Sequence, residues 1–301
     1  MCTWTGHAST VVQLEGHGRQ ELFDGIDLTR TVGWFTNLFP VRLTPAPALG
    51  DALKSIKEQL RAVPNKGIGY GVLRYLGDAD SRAALQGVPA AVTFNYLGQF
   101  DGSFDEEQAL FVPAGESAGG DQNDEAALGS LLTLNGQVYD GELSLGWTFS
   151  AEVFDQAAIS QLAEQYSRQL EALVEHCCDA TVAGLTPSDV PLAGLTQPQL
   201  DAIGLPLADL DDLYPLSPMQ QGMLFHSLYQ KDGGDYINQM RVDVHGLDVA
   251  RFKAAWQATV QAHDILRSGF IWQNELARPL QWCTGNRRYR LPYTTGVGVP
   301  S

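Results

Sequence analysis

No apolar run in this 301-residue chain approaches the roughly eighteen residues that cross a bilayer. The opening MCTWTGHAST has neither the charged start nor the apolar centre of a secretory signal. Membrane partners and export are therefore not expected, and the cytoplasm is the expected location. Basic residues are also scarce: 19 Lys and Arg face 35 Asp and Glu, for a formal net charge of -16. A body of that sign repels phosphate backbones, which argues against a nucleic-acid partner. Cysteine is limited to Cys2, the adjacent Cys177 and Cys178, and Cys283, with no CxxC spacing to hold a metal. No metal site is expected, and the thiols are expected to be reduced. Paired histidines are missing altogether, since His7, His17, His176, His226, His245 and His263 each stand alone.

What is present suits a folded chain, with 44% hydrophobic and 18% charged residues. The length allows one large or two smaller cored domains. Strands are expected over Ser9 to Glu15 and Ala91 to Leu97. The stretch Asp51 to Val63 sets Leu53, Ile56, Leu60 and Val63 on one helical face, and Pro64 stops it. Asn135-Gly136 reads as a two-residue hairpin turn between LLTL and QVYDGELSLGWTF. In the second arm, Leu143, Leu145, Trp147 and Phe149 alternate with polar residues, which predicts one buried and one wet face. A long amphipathic helix carries Ile159, Leu162, Tyr166, Leu170, Leu173 and Val174 and is expected to end near Cys178. Residues 101 to 129 read as a mobile surface loop.

Six prolines between 181 and 218 read as linker chemistry, with a short helix at Gln197 to Ile203. Beyond it come a helix from Ser217 to Tyr229 opened by a Ser-Pro cap and a strand from Tyr236 to His245. An Asp248-capped helix bearing Phe252, Trp256 and Val260 follows, then a strand from Ile265 to Trp272. A second domain is expected to start near residue 213.

Four stretches occur in an informative order: EGHGRQ at 15 to 20, RTVGWFTNLFPVRL at 30 to 43, PNKGIGYG at 64 to 71 and FNYLGQFD at 94 to 101. Together they resemble the C-terminal lobe of the epimerization domains of nonribosomal peptide synthetases. YPLSPMQQGMLFHSLY at 214 to 229 and HDILRSGFIW at 263 to 272 resemble the opening of a following condensation domain. The resemblance implies an α/β (α+β) fold: a chloramphenicol-acetyltransferase-like lobe with a mixed sheet packed by helices, then a partial second lobe of the same superfamily. The domain expectation is an epimerization lobe at 1–180, a linker at 181–212, the start of a condensation domain at 213–280 and an atypical tail at 281–301. In the family, two such lobes enclose a tunnel, and the N-terminal lobe carries an HHxxxDG motif. That motif is absent here, so the N-terminal epimerization lobe and the C-terminal condensation lobe are expected as missing partners.

Epimerization removes the α-proton of a carrier-bound aminoacyl or peptidyl thioester and returns one on the opposite face. It needs a base near neutral pKa and a donor to the developing thioester oxyanion. The resemblance makes Glu15 the acid/base group. It gives Arg19 the role of orienting Glu15 or contacting a carrier phosphate, and Tyr96 that of donating a hydrogen bond or a proton. Asn95 is a weaker candidate, and Gly16 and Gly18 would leave room for the pantetheine arm. The 4'-phosphopantetheine itself is expected on a partner, the peptidyl carrier domain, because no carrier serine motif is present. The family usually ends the first motif in Glu, whereas this chain has Gln20, so no charged role carries over there.

Other features have plainer readings. His17 is structural rather than catalytic, and Gly67, Gly69 and Gly71 form a loop and not a phosphate cradle, lacking the strand-turn-helix order. Trp34 and Phe35 are expected in the core or the tunnel wall, and Phe225 and His226 in a packed helix. The final QWCTGNRRYRLPYTTGVGVPS has no acidic residue and three arginines in four positions, which leads to the expectation of a shifted frame or a cut gene near Gln281. The chain is therefore expected either to be part of an epimerase and condensation junction, inactive by itself, or to be a non-catalytic fragment serving as an interaction module.

Overall fold

The computed structural model describes residues 1–20, 22–87, 90–99, 125–179, 184–229, 238–273 and 276–285, with the isolated residues 116, 119, 123 and 236. It divides into two compact units, Met1–His176 and Cys177–Ser301. The first contains α1 (Cys2–Thr5), β1 (Thr10–Gly16), β2 (Asn37–Leu43), α2 (Leu49–Arg61), α3 (Gly69–Leu76) and α4 (Ala79–Ala84). These are followed by β3 (Val92–Gln99), β4 (Leu132–Tyr139), β5 (Glu142–Phe149) and α5 (Gln156–Cys178). The second contains α6 (Gln197–Asp201), β6 (Leu210–Pro215), α7 (Pro218–Tyr229), α8 (Val249–Ala262), β7 (Ser268–Ile271) and β8 (Leu280–Thr284).

The first unit is a mixed five-stranded sheet in the order β2-β1-β3-β4-β5. Its central pairs, β1 with β3 and β3 with β4, are parallel, and the edge strands β2 and β5 are antiparallel to their neighbours. Side chains alternate across the sheet, so in-register partners share a face. One face carries Val92, Leu132 and Leu134, which bury against Ile159 and Leu162 of α5, with Phe94, Trp147, Phe149 and Tyr166 packed around them. Each fully buried aliphatic side chain of this kind contributes about 1.5–3 kcal/mol. Trp147 meets Tyr166 edge-on at 5.7 Å, so the i, i+3, i+4 stripe of α5 and the period-two stripe of β5 interlock. The other face carries Gln13, Glu15, Thr93, Asn95, Thr133 and Asn135.

The turn between β4 and β5 is Asp140-Gly141, where both residues have positive φ (51° and 70°), and not Asn135-Gly136. Asn135 and Gly136 lie inside the ladder, paired with Gly146 and Leu145. Either dipeptide satisfies a type I′ turn. The observed choice keeps eight cross-strand pairs and leaves Leu132 and Leu134 in the core. Most of the loop expected at 101–129 lies outside the described residues.

In the second unit β8 is the central strand, antiparallel to both β6 and β7. Residues 185–212, expected as part of a linker, instead help supply its core: Val190, Ala193, Leu200 and Ile203 bury with Leu213 against Leu280. Proline does not prevent this, because these prolines open short helical turns where no N–H is required. Thr186 with Asp189 and Thr196 with Gln199 close reciprocal capping boxes at two of them. Gln281, Cys283 and Thr284, expected in an atypical tail, are buried in β8. Gln281 accepts from Gln220 Nε2 at 2.7 Å and donates to the Tyr214 hydroxyl at 3.0 Å, so its polar side chain is matched inside the unit. Residues 286–301 of that tail lie outside the described residues.

Asp248 caps α8 as expected, accepting from Ala250 and Arg251 N–H at 3.0 and 3.1 Å. The strand expected over Tyr236 to His245 does not form: 238–244 have no regular structure, and Met240, Val242 and Val244 are exposed. Alternation alone makes no strand without a ladder partner. Phe225 is likewise 63% exposed on α7, stacked on Tyr229 and not packed into a core. Trp34 is 97% exposed and Phe35 is exposed too, so neither belongs to the core.

Candidate functional site

β1 and β3 run parallel in the register Val12↔Val92, Gln13↔Thr93 and Leu14↔Phe94. The next residues toward their carboxyl ends are Glu15 and Gly16 on β1, and Asn95 and Tyr96 on β3. Glu15 and Asn95 therefore stand level on the wet face, while Tyr96 follows Phe94 onto the helix-packed face, where it is 51% exposed in the part of β3 beyond its pairing with β1. The structure thus brings Glu15 together with Asn95 and sets Tyr96 at the same level on the opposite side. Ligands of open α/β sheets bind beyond the carboxyl ends of parallel strands. Glu15 is exposed and makes no side-chain hydrogen bond or ion pair among the described residues.

Arg19 is placed differently from the sequence expectation. Its Nε donates to the Thr31 carbonyl at 3.3 Å and its Nη2 to the Gly33 carbonyl at 2.5 Å, while the guanidinium lies 4.9 Å from the Phe35 ring centre. It clamps the EGHGRQ stretch to the 31–35 segment and has no bond to Glu15. His17 supports the same turn, its Nδ1 accepting from the Arg19 N–H at 3.0 Å. Its Nε2 lies 3.2 Å from the Gln20 amide nitrogen, so the ring is held among the residues of the motif.

The glycines also have packing reasons. A Cβ on Gly18, whose φ is +67°, would lie 1.5 Å from the Phe35 carbonyl oxygen, and one on Gly16 would lie 2.7 Å from Asn37 Oδ1. The space beside each is filled by this chain, so neither clears a path for a pantetheine arm. Gly67 seats the Phe39 ring in the same way, with a would-be Cβ 2.2 Å from Cγ. Asn37, across the ladder from Gly16, holds both amide atoms buried without a hydrogen-bond partner. Sequence reading did not single out Asn37, and it took Asn135 for a turn residue. Only the strand register sets Asn37 against Gly16 and Asn135 beside Asn95.

A cavity of about 360 Å³ lies elsewhere, in the second unit, between the 193–199 turn and residues 276–280. Its polar side chains are already engaged: Arg278 Nη2 donates to the Leu192 carbonyl at 3.1 Å, and Gln199 Oε1 accepts from Thr196 N–H at 2.9 Å. The Glu15 group is the better chemical candidate because its carboxylate is free. Among the described residues no helix is long and apolar enough to cross a membrane.

The condensation-domain family profile matches residues 1–190 and 211–297, running past Gln281, where the sequence alone led to the expectation of a break. A linear gramicidin synthase from Brevibacillus parabrevis is 45% identical over 282 residues, covering 92% of this chain and 4% of that protein. Bacitracin synthase 3 from Bacillus licheniformis is 36% identical over 269 residues, covering 87% of this chain and 4% of that protein. The crystal structure of the epimerization domain from the third module of tyrocidine synthetase B matches with a TM-score of 0.53 at 34% identity, over 58% of this chain and 39% of that one. The chain thus spans a small part of the length of these synthases.

Proposed function

Since the chain belongs to the condensation-domain family, we propose that it forms part of a nonribosomal peptide synthetase module junction. In this reading the first unit supplies one side of an L-to-D epimerization site for a carrier-bound aminoacyl or peptidyl thioester. The second unit opens the condensation domain that makes the next peptide bond. The observation that carries the reading is the free Glu15 carboxylate at the carboxyl end of β1, level with Asn95 and with Tyr96 on the other sheet face.

The chemistry follows from that placement. Glu15 takes the α-proton, the electron pair of the broken C–H bond moves onto the thioester oxygen, and a proton returned to the opposite face of the α-carbon completes inversion. Tyr96 approaches from the other side of the sheet, where its hydroxyl donates to the developing oxyanion or returns the proton. Arg19 acts through the fold: by tying the 31–35 segment to the motif it holds the turn that follows Glu15. The phosphopantetheine arm arrives on the carrier domain as part of the substrate, and Asn95 on the open face is the residue available to it. With no paired histidine among these residues, the HHxxxDG contribution comes from outside them. The 301 residues alone are therefore expected to bind a loaded carrier without turning it over.

A second reading, a non-catalytic interaction module, is favoured by the exposure of Val32, Trp34, Met240 and Tyr229. Mixing the chain with an aminoacyl carrier protein in deuterated buffer separates the two once a lobe bearing HHxxxDG is supplied. Deuterium at the α-carbon supports the epimerase reading, and binding with no exchange under those conditions supports the module.

A further inference from the structure

The cavity of about 360 Å³ in the second unit has a sorted lining. Ala193 and Leu280 are buried, Leu195 and Leu276 half-buried, and Gln199 and Arg278 exposed, so it grades from apolar in its depth to polar at its rim. The rim presents donors. Gln199 Oε1 accepts both the N–H and the hydroxyl of Thr196 at 2.9 Å, in the capping box that opens α6. Its Nε2 is left without a partner among the described residues. Arg278 uses Nη2 on the Leu192 carbonyl at 3.1 Å, and its Nε and Nη1 have no partner among the described residues. In a chain with 35 acidic side chains, Arg278 forms no ion pair among the described residues. Gly194, left-handed at φ +64°, lies alongside: a Cβ there would stand 3.4 Å from Arg278 Nη2. The capping box and the Leu192 bond thus hold both donor groups in place before any ligand arrives.

We propose that this cavity binds an aliphatic monocarboxylate, its head on Arg278 and the Gln199 amide and its alkyl chain over Ala193, Leu195, Leu276 and Leu280. A guanidinium fork matches a carboxylate in charge and in shape. A volume of about 360 Å³ falls at the small end of ligand pockets. The tail is a plain alkyl chain because the side-chain acceptor of the lining, Gln199 Oε1, is already doubly used. A peptide or a free amino acid would bring N–H groups with no side chain here to receive them. The site lies wholly within the second unit and is independent of the role proposed for Glu15.

The test titrates the full 301-residue chain, labelled at its leucine methyl groups, with butyrate, hexanoate, octanoate and octanol, followed by NMR. Octanoate is expected to shift the methyl resonances of Leu195 and Leu276. Affinity is expected to rise roughly two- to fourfold with each methylene added, and octanol to bind about ten- to a hundredfold more weakly than octanoate. Arg278→Gln is expected to weaken octanoate by a similar factor and to leave octanol unchanged. Gln199→Glu keeps the capping acceptor, so α6 stays closed, but it sets a carboxylate where the amide donor stood and is expected to weaken octanoate further than octanol. Both side chains are exposed, and an unchanged methyl spectrum without ligand checks that the fold is kept. Octanol binding as tightly as octanoate, an octanoate affinity that survives Arg278→Gln, or binding that leaves the Leu195 and Leu276 methyls unmoved overturns the proposal. So does an absence of octanoate binding.

Discussion

Gly18 is the residue at which the local argument is sharpest. An alanine there meets a left-handed φ and a carbonyl oxygen 1.5 Å from its Cβ, so the Arg19 turn must move. Gly18→Ala is expected to cost more than about 2 kcal/mol, lowering the melting temperature of the first unit by several degrees. Asn37 predicts the opposite sign. Replacing a buried amide that lacks partners by an apolar group of similar size is neutral or stabilising, so Asn37→Leu is expected to raise the melting temperature or leave it unchanged. A fall of several degrees would show that the amide is satisfied in solution. Among the thiols, Cys177 and Cys178 are exposed, whereas Cys283 is buried in β8, and that burial pushes its pKa up. A timed thiol titration is expected to show Cys283 reacting only on unfolding. That Glu15, Asn95 and Tyr96 lie on strands was legible because their motifs overlap the apolar runs of β1 and β3. Asn37 and Asn135 were not, because their meaning depends on which strand stands beside which.

At the scale of elements, α5, β1 and β3 were legible from periodicity, since an amphipathic stripe or an apolar run declares its own partner face. The β4–β5 turn was not, because Asn135-Gly136 and Asp140-Gly141 have the same local chemistry and only the ladder decides between them. The difference is measurable by urea unfolding. Gly141→Val places a β-branched residue at φ +70° and is expected to cost about 2 kcal/mol or more. Gly136→Ala presses only on the mobile end of the Leu145 side chain and is expected to cost less. The reverse order would return the turn to Asn135-Gly136. The strand expected over Tyr236 to His245 failed for a related reason: alternation is necessary for a half-buried strand but does not supply a neighbour.

At the scale of the whole molecule, proline content misled the reading of residues 181–212. Prolines that open helical turns are compatible with a core, and Leu200 and Ile203 between them are among the most buried side chains in the chain. A chain beginning at Cys177 is therefore expected to give a dispersed amide spectrum. One beginning at Leu213 loses the burial partners of Leu280 and is expected to collapse or aggregate. The two-unit organisation matters for function because the first unit places Glu15 and Tyr96 on opposite faces at one end of a pair of parallel strands. The central claim is that Glu15 is the base there. The most direct measurement is α-proton exchange in deuterated buffer by a synthetase containing this segment together with an HHxxxDG-bearing lobe, comparing the wild type with Glu15→Gln and Tyr96→Phe. The account predicts a loss of roughly a hundred- to ten-thousandfold for Glu15→Gln and a smaller one, on the order of a hundredfold, for Tyr96→Phe, with carrier binding nearly unchanged. Near-full exchange by Glu15→Gln while Tyr96→Phe is inactive would contradict it.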